Sequence, residues 1–301
     1  MIDMVIGGQF GSEGKGKVAY WLTNKSNHKC SIRTGGCNSG HTIKGKILRH
    51  LPCSALIPNG ICILGAGSYI NIEVLQNEIK TFNPILYIDE KASIVTGKED
   101  NILRSRIGST LSGTGLAVSQ RVNRLNATLV KEIDKFNAYL TNNIYDLIED
   151  GAVIEGSQGF GLSLLHSPYY PFCTSRDTTA SGLLSEVGLS PKIVRYIYLV
   201  IRTYPIRVAG NSGTLPHETS WEALHIKSEY TSVTKNIRRV GYFDPEIVRL
   251  AIKANDPDFI VLNHLDYIRK EKRKDFVNYV EDSINRKVDY IGLNNMEVTK
   301  L

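Results

Sequence analysis

Short apolar segments alternate with amphipathic segments along most of this chain. Six apolar segments have the length of buried strands and end at a glycine or a polar residue: 4–6, 61–64, 85–88, 152–154, 196–201 and 259–262. Four segments between them have the spacing of helices: 72–79, 125–147, 180–186 and 245–253. Strands that alternate with helices predict an α/β fold with a largely parallel sheet and functional loops at the carboxyl ends of its strands.

A glycine-rich turn connects the first predicted strand to an apolar helical segment. Residues 4–17 read Met-Val-Ile-Gly-Gly-Gln-Phe-Gly-Ser-Glu-Gly-Lys-Gly-Lys. The glycines let the backbone approach a phosphate closely, a helix N-terminus favours negative charge, and Lys15 and Lys17 add positive charge. The spacing does not fit the Walker pattern. The stretch therefore predicts an anion site, with an ordinary glycine-rich turn as the alternative.

Further loops of the chain are also rich in glycine, hydroxyl or amide side chains: 35–42, 108–115, 155–161 and 173–179. Each of these loops alone fits ordinary turn chemistry. Together with the first turn, however, they predict a large pocket for a polyphosphate or a nucleotide.

Composition narrows the class of protein. The 301 residues are 42% hydrophobic, and no repeat or linker divides them, so we expect one continuous domain over 1–301. The net charge of +6 suits anionic small molecules, and no Lys/Arg cluster is dense enough to predict nucleic-acid binding. The five cysteines lack paired spacing, which predicts a reduced chain without disulfides or zinc. No apolar segment approaches about 20 residues, so we expect a cytoplasmic protein without a membrane span.

Five motifs occur in order between residue 4 and about residue 266. They are Gln-Phe-Gly-Ser-Glu-Gly-Lys-Gly-Lys (9–17), Asn38-x-Gly-His41-Thr, Glu-Gly-x-Gln-Gly (155–159), Tyr170-Pro-x-x-Thr174-Ser and Val233-Thr-x-x-x-Arg238-Arg-Val-Gly-Tyr-Phe-Asp244. This ordered set resembles the motifs of the adenylosuccinate synthetase family. The resemblance implies a mostly parallel central sheet like that of P-loop NTPases, with helices on both faces and smaller subdomain insertions.

The resemblance also implies a carbon–nitrogen ligase that joins aspartate to C6 of a 6-oxopurine nucleotide. A nucleoside triphosphate first phosphorylates O6, and the aspartate amine then displaces that phosphate. His41 would contact the transferring phosphoryl as a general acid, a surface loop histidine being the alternative. Lys15 would stabilise phosphate charge, and Gly40 would offer its carbonyl to Mg²⁺. The phosphates would lie against Gly11, Glu13, Gly14, Lys15, Gly16, Gly40 and Thr42.

By the same resemblance, two further groups of residues hold the other substrates. The acceptor nucleotide would contact Ser12, Asn38, Thr110, Arg124, Gln158 and Thr174. Arg124 would reach across a homodimer to the 5′-phosphate, so the site of a monomer would be incomplete. Aspartate would lie against Thr231, Ser232, Val233, Thr234 and Arg238. A guanidinium such as that of Arg238 can bind a carboxylate in bidentate fashion, although a surface arginine is the alternative.

Ser12 is the main departure from the family pattern. Ordinary members place there an aspartate that takes the N1 proton of IMP and ligates Mg²⁺. A serine hydroxyl has no comparable basicity, but it leaves room near C2 of the purine. A phage branch with serine at this position resembles 2-aminoadenylosuccinate synthetases, which use dGMP and aspartate to begin making 2-aminoadenine for viral DNA. Ser12 would then bind the guanine amine and remain, with Gly40, beside the metal.

Two other departures agree with a deoxyguanosine substrate. Segment 207–213 lacks the Gly-Pro-Phe-Pro-Thr-Glu run of IMP-using members, and Asn236 replaces an arginine near the ribose. Losing that donor is easier to accept if the sugar lacks its 2′-hydroxyl. The donor base would be read near Asn263 and Asp266. Asp266 favours GTP, whereas the changed lysine of the family pattern and the phage-like context favour ATP or dATP, which we expect.

Three hypotheses follow from the sequence. The leading one is a homodimeric ligase, in the host cytoplasm if phage-encoded, that uses dGMP, L-aspartate and a nucleoside triphosphate with Mg²⁺. The second is an adenylosuccinate synthetase that acts on IMP despite Ser12. The third is a catalytically silent nucleotide-binding protein of the same fold.

Overall fold

The strands form one large, mostly parallel sheet, and the helices cover both of its faces. The computed structural model describes residues 1–26, 29–97, 106–231, 236–294 and 297–301. The strands are β1 Ile2–Gly7, β2 Cys30–Gly36, β3 His41–Ile43, β4 Lys46–Leu48, β5 Ile61–Ile70, β6 Ile85–Asp89, β7 Ser93–Ile94, β8 Leu140–Thr141, β9 Ala152–Glu155, β10 Val194–Arg202, β11 Ile206–Arg207, β12 Glu218–Thr219, β13 Arg239–Gly241, β14 Phe259–Asn263, β15 Tyr290–Leu293 and β16 Glu297–Lys300. The helices are α1 Lys15–Lys25, α2 Ile72–Phe82, α3 Thr114–Asn123, α4 Ala180–Val187, α5 Pro245–Asn255 and α6 Arg273–Ile284.

Eleven of the described strands form the central sheet, in the order β16-β15-β14-β10-β1-β9-β2-β5-β6-β8 with β7 paired to β5. Its pairings are parallel except for β15 with β16 at one edge. Two smaller sheets stand apart from it, β11-β13-β12 and β3-β4. The predicted α/β fold with a mostly parallel sheet is confirmed.

The side chains of β1 show why helices cover both faces of the sheet. Met4 and Ile6 belong to one hydrophobic cluster, which includes residues of α4, α5 and α6. Val5 points to the opposite face and belongs to a second cluster with Val18 of α1 and Leu75 of α2. Successive side chains of a strand point to opposite faces, so a strand that is apolar throughout must be covered twice.

The helix that we predicted over 125–147 is wrong. Helix α3 instead ends at Asn123, and Arg124 then takes a left-handed conformation with φ 58°. The following segment forms short 3-10 helices and strand β8, which pairs with β6. Its apolar residues Val130 and Phe136 are fully buried against the sheet. The apolar spacing was real, but these residues fill the space beneath a sheet edge rather than one face of a helix.

The topology brings the candidate loops together. Strands β14, β10, β1, β9 and β2 are consecutive neighbours in the sheet and run parallel. Their carboxyl ends therefore lie along one edge, where ligands bind in open α/β sheets. The loops after β1, β2 and β9 are three of the five that we singled out. Among the described residues, no helix is long and apolar enough to cross a membrane.

Candidate active site

A cavity of about 1210 Å³ opens at the carboxyl edge of the sheet. Most of the predicted site residues line it: Gly11, Ser12, Gly14, Lys15, Gly16, Asn38, Gly40, His41, Thr42, Thr110, Gln158, Thr174, Thr231 and Arg238. Four others do not line it: Glu13, Arg124, Asn263 and Asp266. Ser232, Val233 and Thr234 lie outside the described residues. The cavity brings together residues that are more than 220 positions apart in the sequence, at the edge of the sheet where the candidate loops meet.

The glycine-rich loop is held open by the side chain of Glu13. This carboxylate is fully buried and accepts hydrogen bonds from the backbone N–H groups of Gln9 (3.1 Å) and Gly11 (2.7 Å). Its other oxygen accepts from Lys15 Nζ at 2.7 Å. Asn263 donates from behind to the carbonyl of Glu13 at 2.8 Å. Glu13 therefore shapes the loop, and any contact of this residue with a phosphate would come from its backbone.

Helix α1 starts directly after this loop, with its N-terminus at the cavity. Gly14 precedes the helix with φ 84°, a left-handed conformation that glycine adopts at no steric cost. A side chain at Gly16 would lie 2.7 Å from the His41 ring, so only glycine allows this close packing. The helix dipole and the Lys15 ammonium both favour an anion in front of the helix.

His41 lies between the helix N-terminus and a buried carboxylate. Its Nε2 atom is 3.3 Å from Glu155 Oε2 at the end of β9. Burial, together with the positive charges of Arg33 and Lys15, holds the pKa of His41 well below its usual value. The imidazole is therefore neutral at pH 7 in this arrangement and can donate one hydrogen bond.

Ser12 and Arg238 meet across the cavity. Arg238 Nη1 donates to Ser12 Oγ at 2.8 Å, and Arg238 Nε donates to the carbonyl of Tyr230 at 3.2 Å. A guanidinium has no acceptor atom, so Ser12 must accept and keeps its own proton for another partner. The hydroxyl at position 12 thus faces a cation.

A buried ion pair lies behind Ser12. Arg202, at the end of β10, is 1% exposed and pairs with Glu229, while its Nη1 donates to the carbonyl of Ser12 at 2.8 Å. Tyr267 donates to Glu229 at 2.7 Å. Burial alone would raise the pKa of Glu229, but Arg202 and Tyr267 lower it to about 2. Glu229 is therefore ionised at neutral pH and fixes this wall of the cavity.

Three of the predicted acceptor residues carry buried oxygens without a partner in the described part of the chain. These are Asn38 Oδ1, Gln158 Oε1 and Thr174 Oγ1, and all three residues line the cavity. Gln158 also takes a left-handed conformation with φ 60°, which is uncommon for a residue with a side chain. Buried polar atoms are normally hydrogen-bonded, so these oxygens point to a polar ligand in the cavity.

Two predicted residues lie elsewhere. Arg124 is exposed at the end of α3 and does not line the cavity. Asp266 is also exposed, after β14. Asn263 is bound to the glycine-rich loop by its amide nitrogen, and only its Oδ1 lacks a partner within the described residues. His264, which lies between these two residues in the sequence, lines the cavity.

Reasoning from the sequence missed Arg33, Arg202, Glu229 and His264. His264 had a signal, because it belongs to the Asn-His-Leu-Asp segment after a predicted strand. Arg202 also ends an apolar strand at the predicted ligand edge. Glu229 had no local signal, since its role comes from an ion pair with a residue 27 positions away.

Comparisons with known proteins agree with this site. The family model described as adenylosuccinate synthetase matches residues 4–150 and 126–274. The adenylosuccinate synthetase of Methanocaldococcus jannaschii is 34% identical over 93% of this chain and 90% of that relative. The corresponding enzyme of a Pyrococcus species is 33% identical over 96% of this chain and 94% of that relative.

Solved structures of two related enzymes share the fold. The succinoaminodeoxyadenylate synthetase (PurZ) of cyanophage S-2L, bound to dGMP and dATP as an energy donor, has a TM-score of 0.85 and 27% identity. The match covers 99% of this chain and 95% of the cyanophage chain. Fully ligated adenylosuccinate synthetase of Plasmodium falciparum has a TM-score of 0.84 and 20% identity, over 98% and 97% of the two chains.

The two kinds of relative bear on different parts of the prediction. The archaeal sequences and the family model identify the family, and the similarity to the cyanophage enzyme supports a PurZ-like branch within it. Enzymes of the family use Mg²⁺ and a nucleoside triphosphate. The chain therefore belongs to the adenylosuccinate synthetase family, whose members are ligases that join aspartate to a purine nucleotide.

Proposed function

We propose that this protein joins L-aspartate to C6 of dGMP, with hydrolysis of a nucleoside triphosphate. The product would be 2-amino-2′-deoxy-N6-succinyladenylate, a precursor of 2-aminoadenine for DNA. Position 12 carries this proposal, because a neutral hydroxyl bound to Arg238 stands where IMP-using members have a carboxylate.

Ser12 is suited to distinguish guanine from hypoxanthine. Guanine differs from hypoxanthine by the amine on C2, which needs space and a hydrogen-bond acceptor. Ser12 Oγ has two lone pairs, of which Arg238 uses one. No other group in the described part of the chain donates to Ser12 Oγ, so its second lone pair could accept from the guanine amine, and the short side chain would leave the space. The cyanophage enzyme, whose structure contains dGMP, supports the same choice.

IMP remains the second candidate. The archaeal relatives that match this chain at 33–34% identity over most of its length are adenylosuccinate synthetases. This likeness supports a standard substrate if the serine is tolerated in the usual mechanism.

In the first step of the proposed reaction, purine O6 bonds to the γ-phosphorus of the donor, the nucleoside diphosphate leaves, and the N1 proton is released to solvent. Lys15 and the N–H groups at the start of α1 would bind the developing negative charge, which costs little reorganisation because Glu13 already holds the loop. His41 would donate a hydrogen bond to the phosphoryl group. Incoming phosphates would favour its protonated form, and Glu155 Oε2, 3.3 Å from His41 Nε2, would balance that charge.

The second step needs the aspartate amine beside C6, with its carboxylates held. Arg238 supplies a cation on the wall next to Ser12, and the other predicted aspartate residues precede it in the sequence. Held in this way, the amine would displace the O6 phosphate, which leaves as inorganic phosphate. Orientation of this kind contributes much of the rate of bimolecular steps in enzymes.

The donor atoms fit a magnesium ion only in part. The described residues hold no cluster of three acidic, histidine or cysteine side chains. The carbonyl of Gly40 is a hard oxygen of the type that Mg²⁺ prefers, and Mg²⁺ often relies on substrate phosphates for the remaining charge. Ser12 Oγ already faces the Arg238 cation, which makes it a weaker candidate. Bound there with the phosphates, the ion would neutralise their charge.

We propose ATP or dATP as the donor, with GTP as the alternative. His264 at the cavity wall replaces the lysine of the guanine-reading pattern, and the burial of its ring lowers its pKa to about 3, so it carries no charge. The dATP in the cyanophage structure supports the adenine choice.

One assay tests the proposal. Purified protein is incubated with aspartate, Mg²⁺ and either ATP or GTP, and dGMP, GMP or IMP is offered in turn. We expect turnover of dGMP, measured as inorganic phosphate and as the succinylated product. Turnover of IMP but not of dGMP would favour the second candidate, and turnover of none of the nucleotides would favour a silent nucleotide-binding protein.

A further inference from the structure

The residue predicted to read the purine and the residue predicted to bind aspartate share one hydrogen bond. We propose that Ser12 positions the Arg238 guanidinium for the aspartate carboxylate, so that purine selection and aspartate affinity depend on the same pair. This inference rests on the proposed function, because it assigns aspartate to Arg238.

The geometry leaves a suitable set of donors free. Arg238 has five N–H groups, of which one binds Ser12 Oγ at 2.8 Å and one binds the Tyr230 carbonyl at 3.2 Å. No described group bonds its Nη2 atom. Both hydrogens of Nη2 and one of Nη1 therefore remain for a ligand, which suffices for a bidentate carboxylate. The two existing bonds stop rotation of the half-buried side chain.

The Arg202–Glu229 ion pair connects Ser12 and Arg238 a second time, so that the four residues form a closed ring of contacts. Arg202 Nη1 binds the carbonyl of Ser12 at 2.8 Å, and Arg202 also pairs with the Glu229 side chain. The backbone carbonyl of Glu229 accepts from the backbone N–H of Arg238 at 2.9 Å. Both partners of the Ser12–Arg238 bond are thus anchored to the same ion pair. Tyr267 holds that ion pair from outside the cavity.

A consequence is that position 12 acts on both substrates. Without the hydroxyl, Arg238 loses one of its two fixing bonds and must be ordered by aspartate itself. A carboxylate at position 12 would instead pair with the guanidinium and compete with aspartate for it. Ser12 is therefore a positioning residue for the amino acid as well as a contact for the purine.

The test is a double-mutant cycle of Ser12→Ala and Arg238→Lys. Lysine keeps the charge but lacks the planar fork, so Ser12 has no guanidinium to position in that background. We expect Ser12→Ala alone to raise the KM for aspartate about tenfold at saturating nucleotide, as for loss of a hydrogen bond to a charged group. In the Arg238→Lys background the same change should have an effect of less than about twofold. Ser185→Ala, at an exposed serine of α4 that does not line the cavity, is the matched control.

Equal effects of Ser12→Ala in the two backgrounds, or an unchanged aspartate KM, would overturn the inference. The cycle is run with whichever of dGMP and IMP the protein uses, so its result does not depend on the proposed nucleotide. If neither is turned over, calorimetric titration of aspartate into the nucleotide-loaded protein gives the same comparison.

Tyr267→Phe provides a second variant that leaves the cavity wall intact. It removes one hydrogen bond to Glu229 and should raise the KM for aspartate about threefold while the KM for the nucleotide is unchanged. An equal rise of both KM values would indicate a general loosening of the site and would count against the inference.

Discussion

At the scale of single residues, the environment of position 12 is set by cations. The side chain of Ser12 faces Arg238, and its carbonyl accepts from Arg202, which is fully buried. Neither arginine has an acceptor atom, so both can only donate to Ser12. A serine accepts these bonds without changing the local charge, whereas an aspartate would neutralise one of the two cations.

We expect Ser12→Asp to lower kcat/KM for dGMP by at least about tenfold, because the carboxylate fills the space near C2 and pairs with Arg238. Initial rates with dGMP and with IMP at several concentrations measure the effect. Ser220→Asp introduces the same charge at an exposed serine and serves as the control. An unchanged rate with dGMP would refute the steric argument.

The Glu229 carboxylate predicts a pH dependence of stability. Its pKa of about 2 in the folded protein lies below its ordinary value of 4.5. The folded state therefore gains stability above about pH 4.5, and this gain is lost as the pH falls toward 2. We expect Glu229→Gln to lower the free energy of unfolding by about 2 kcal/mol at pH 7.

Denaturant unfolding of Glu229→Gln between pH 7 and pH 3 checks this prediction. The difference from the unsubstituted protein should shrink as the pH falls below 4.5. Glu222→Gln, at an exposed position, should show little difference at any pH. A difference for Glu229→Gln that stays constant with pH would show that its charge is not what stabilises the fold.

At the scale of elements, helix α1 and strand β3 are packed so closely that no methyl group fits between Gly16 and His41. The backbone of Gly16 lies under the His41 ring, and a Cβ atom there would be 2.7 Å from the ring carbon Cγ. Alanine stabilises a helix by about 1 kcal/mol relative to glycine. The stability of helix α1 therefore favours alanine at residue 16, whereas the position of the His41 ring requires glycine.

We expect Gly16→Ala to reduce kcat by about 100-fold with little change in melting temperature. The added methyl group must displace the His41 imidazole, and shifts of about 1 Å have such effects on catalysis. Thermal unfolding and steady-state kinetics together make the measurement. Asn24→Ala, at an exposed position of the same helix, should leave activity unchanged. Loss of fold without a specific loss of kcat would contradict the assignment.

At the scale of the whole molecule, one predicted contact needs a second protomer. Arg124 is exposed at the end of α3, close to Val122 and Leu125, which are 71% and 67% exposed. Its side chain is absent from the cavity of its own chain. We propose that two copies pair so that each Arg124 enters the site of the other, and that the 301 residues form one domain in each copy.

Mixing two inactive variants tests this arrangement. Arg124→Ala and His41→Ala should each lose activity alone. In a hybrid dimer one site combines an intact His41 with an intact Arg124, so random exchange should restore about one quarter of the full activity. Assays after mixing, with sedimentation to confirm dimers, measure the recovery. No recovery in mixed dimers would place Arg124 outside the active site.

Structural features that depend on neighbouring residues could be predicted from the sequence, whereas features that depend on contacts between distant residues could not. The strand, glycine-rich turn and helix at residues 4–22 could be predicted because glycine spacing and apolar runs are local properties. The α/β fold followed from the alternation of such segments. The helix predicted over 125–147 was wrong, because the same apolar residues can be buried by a sheet edge and only tertiary packing decides between the two.

The sequence by itself determined the family, the glycine-rich turn between β1 and α1 and the serine at position 12, since each depends on the identity and spacing of neighbouring residues. Only the tertiary structure decided what that serine faces. Arg202 and Arg238 bond to Ser12 from positions 190 and 226 residues away, and no local pattern in the sequence predicts contacts over such distances. The parallel neighbours β1 and β10 place the loop of Ser12 beside Arg202. The segment before β13 is joined to that edge by the Arg202–Glu229 ion pair and by the hydrogen bond from Arg238 to Ser12.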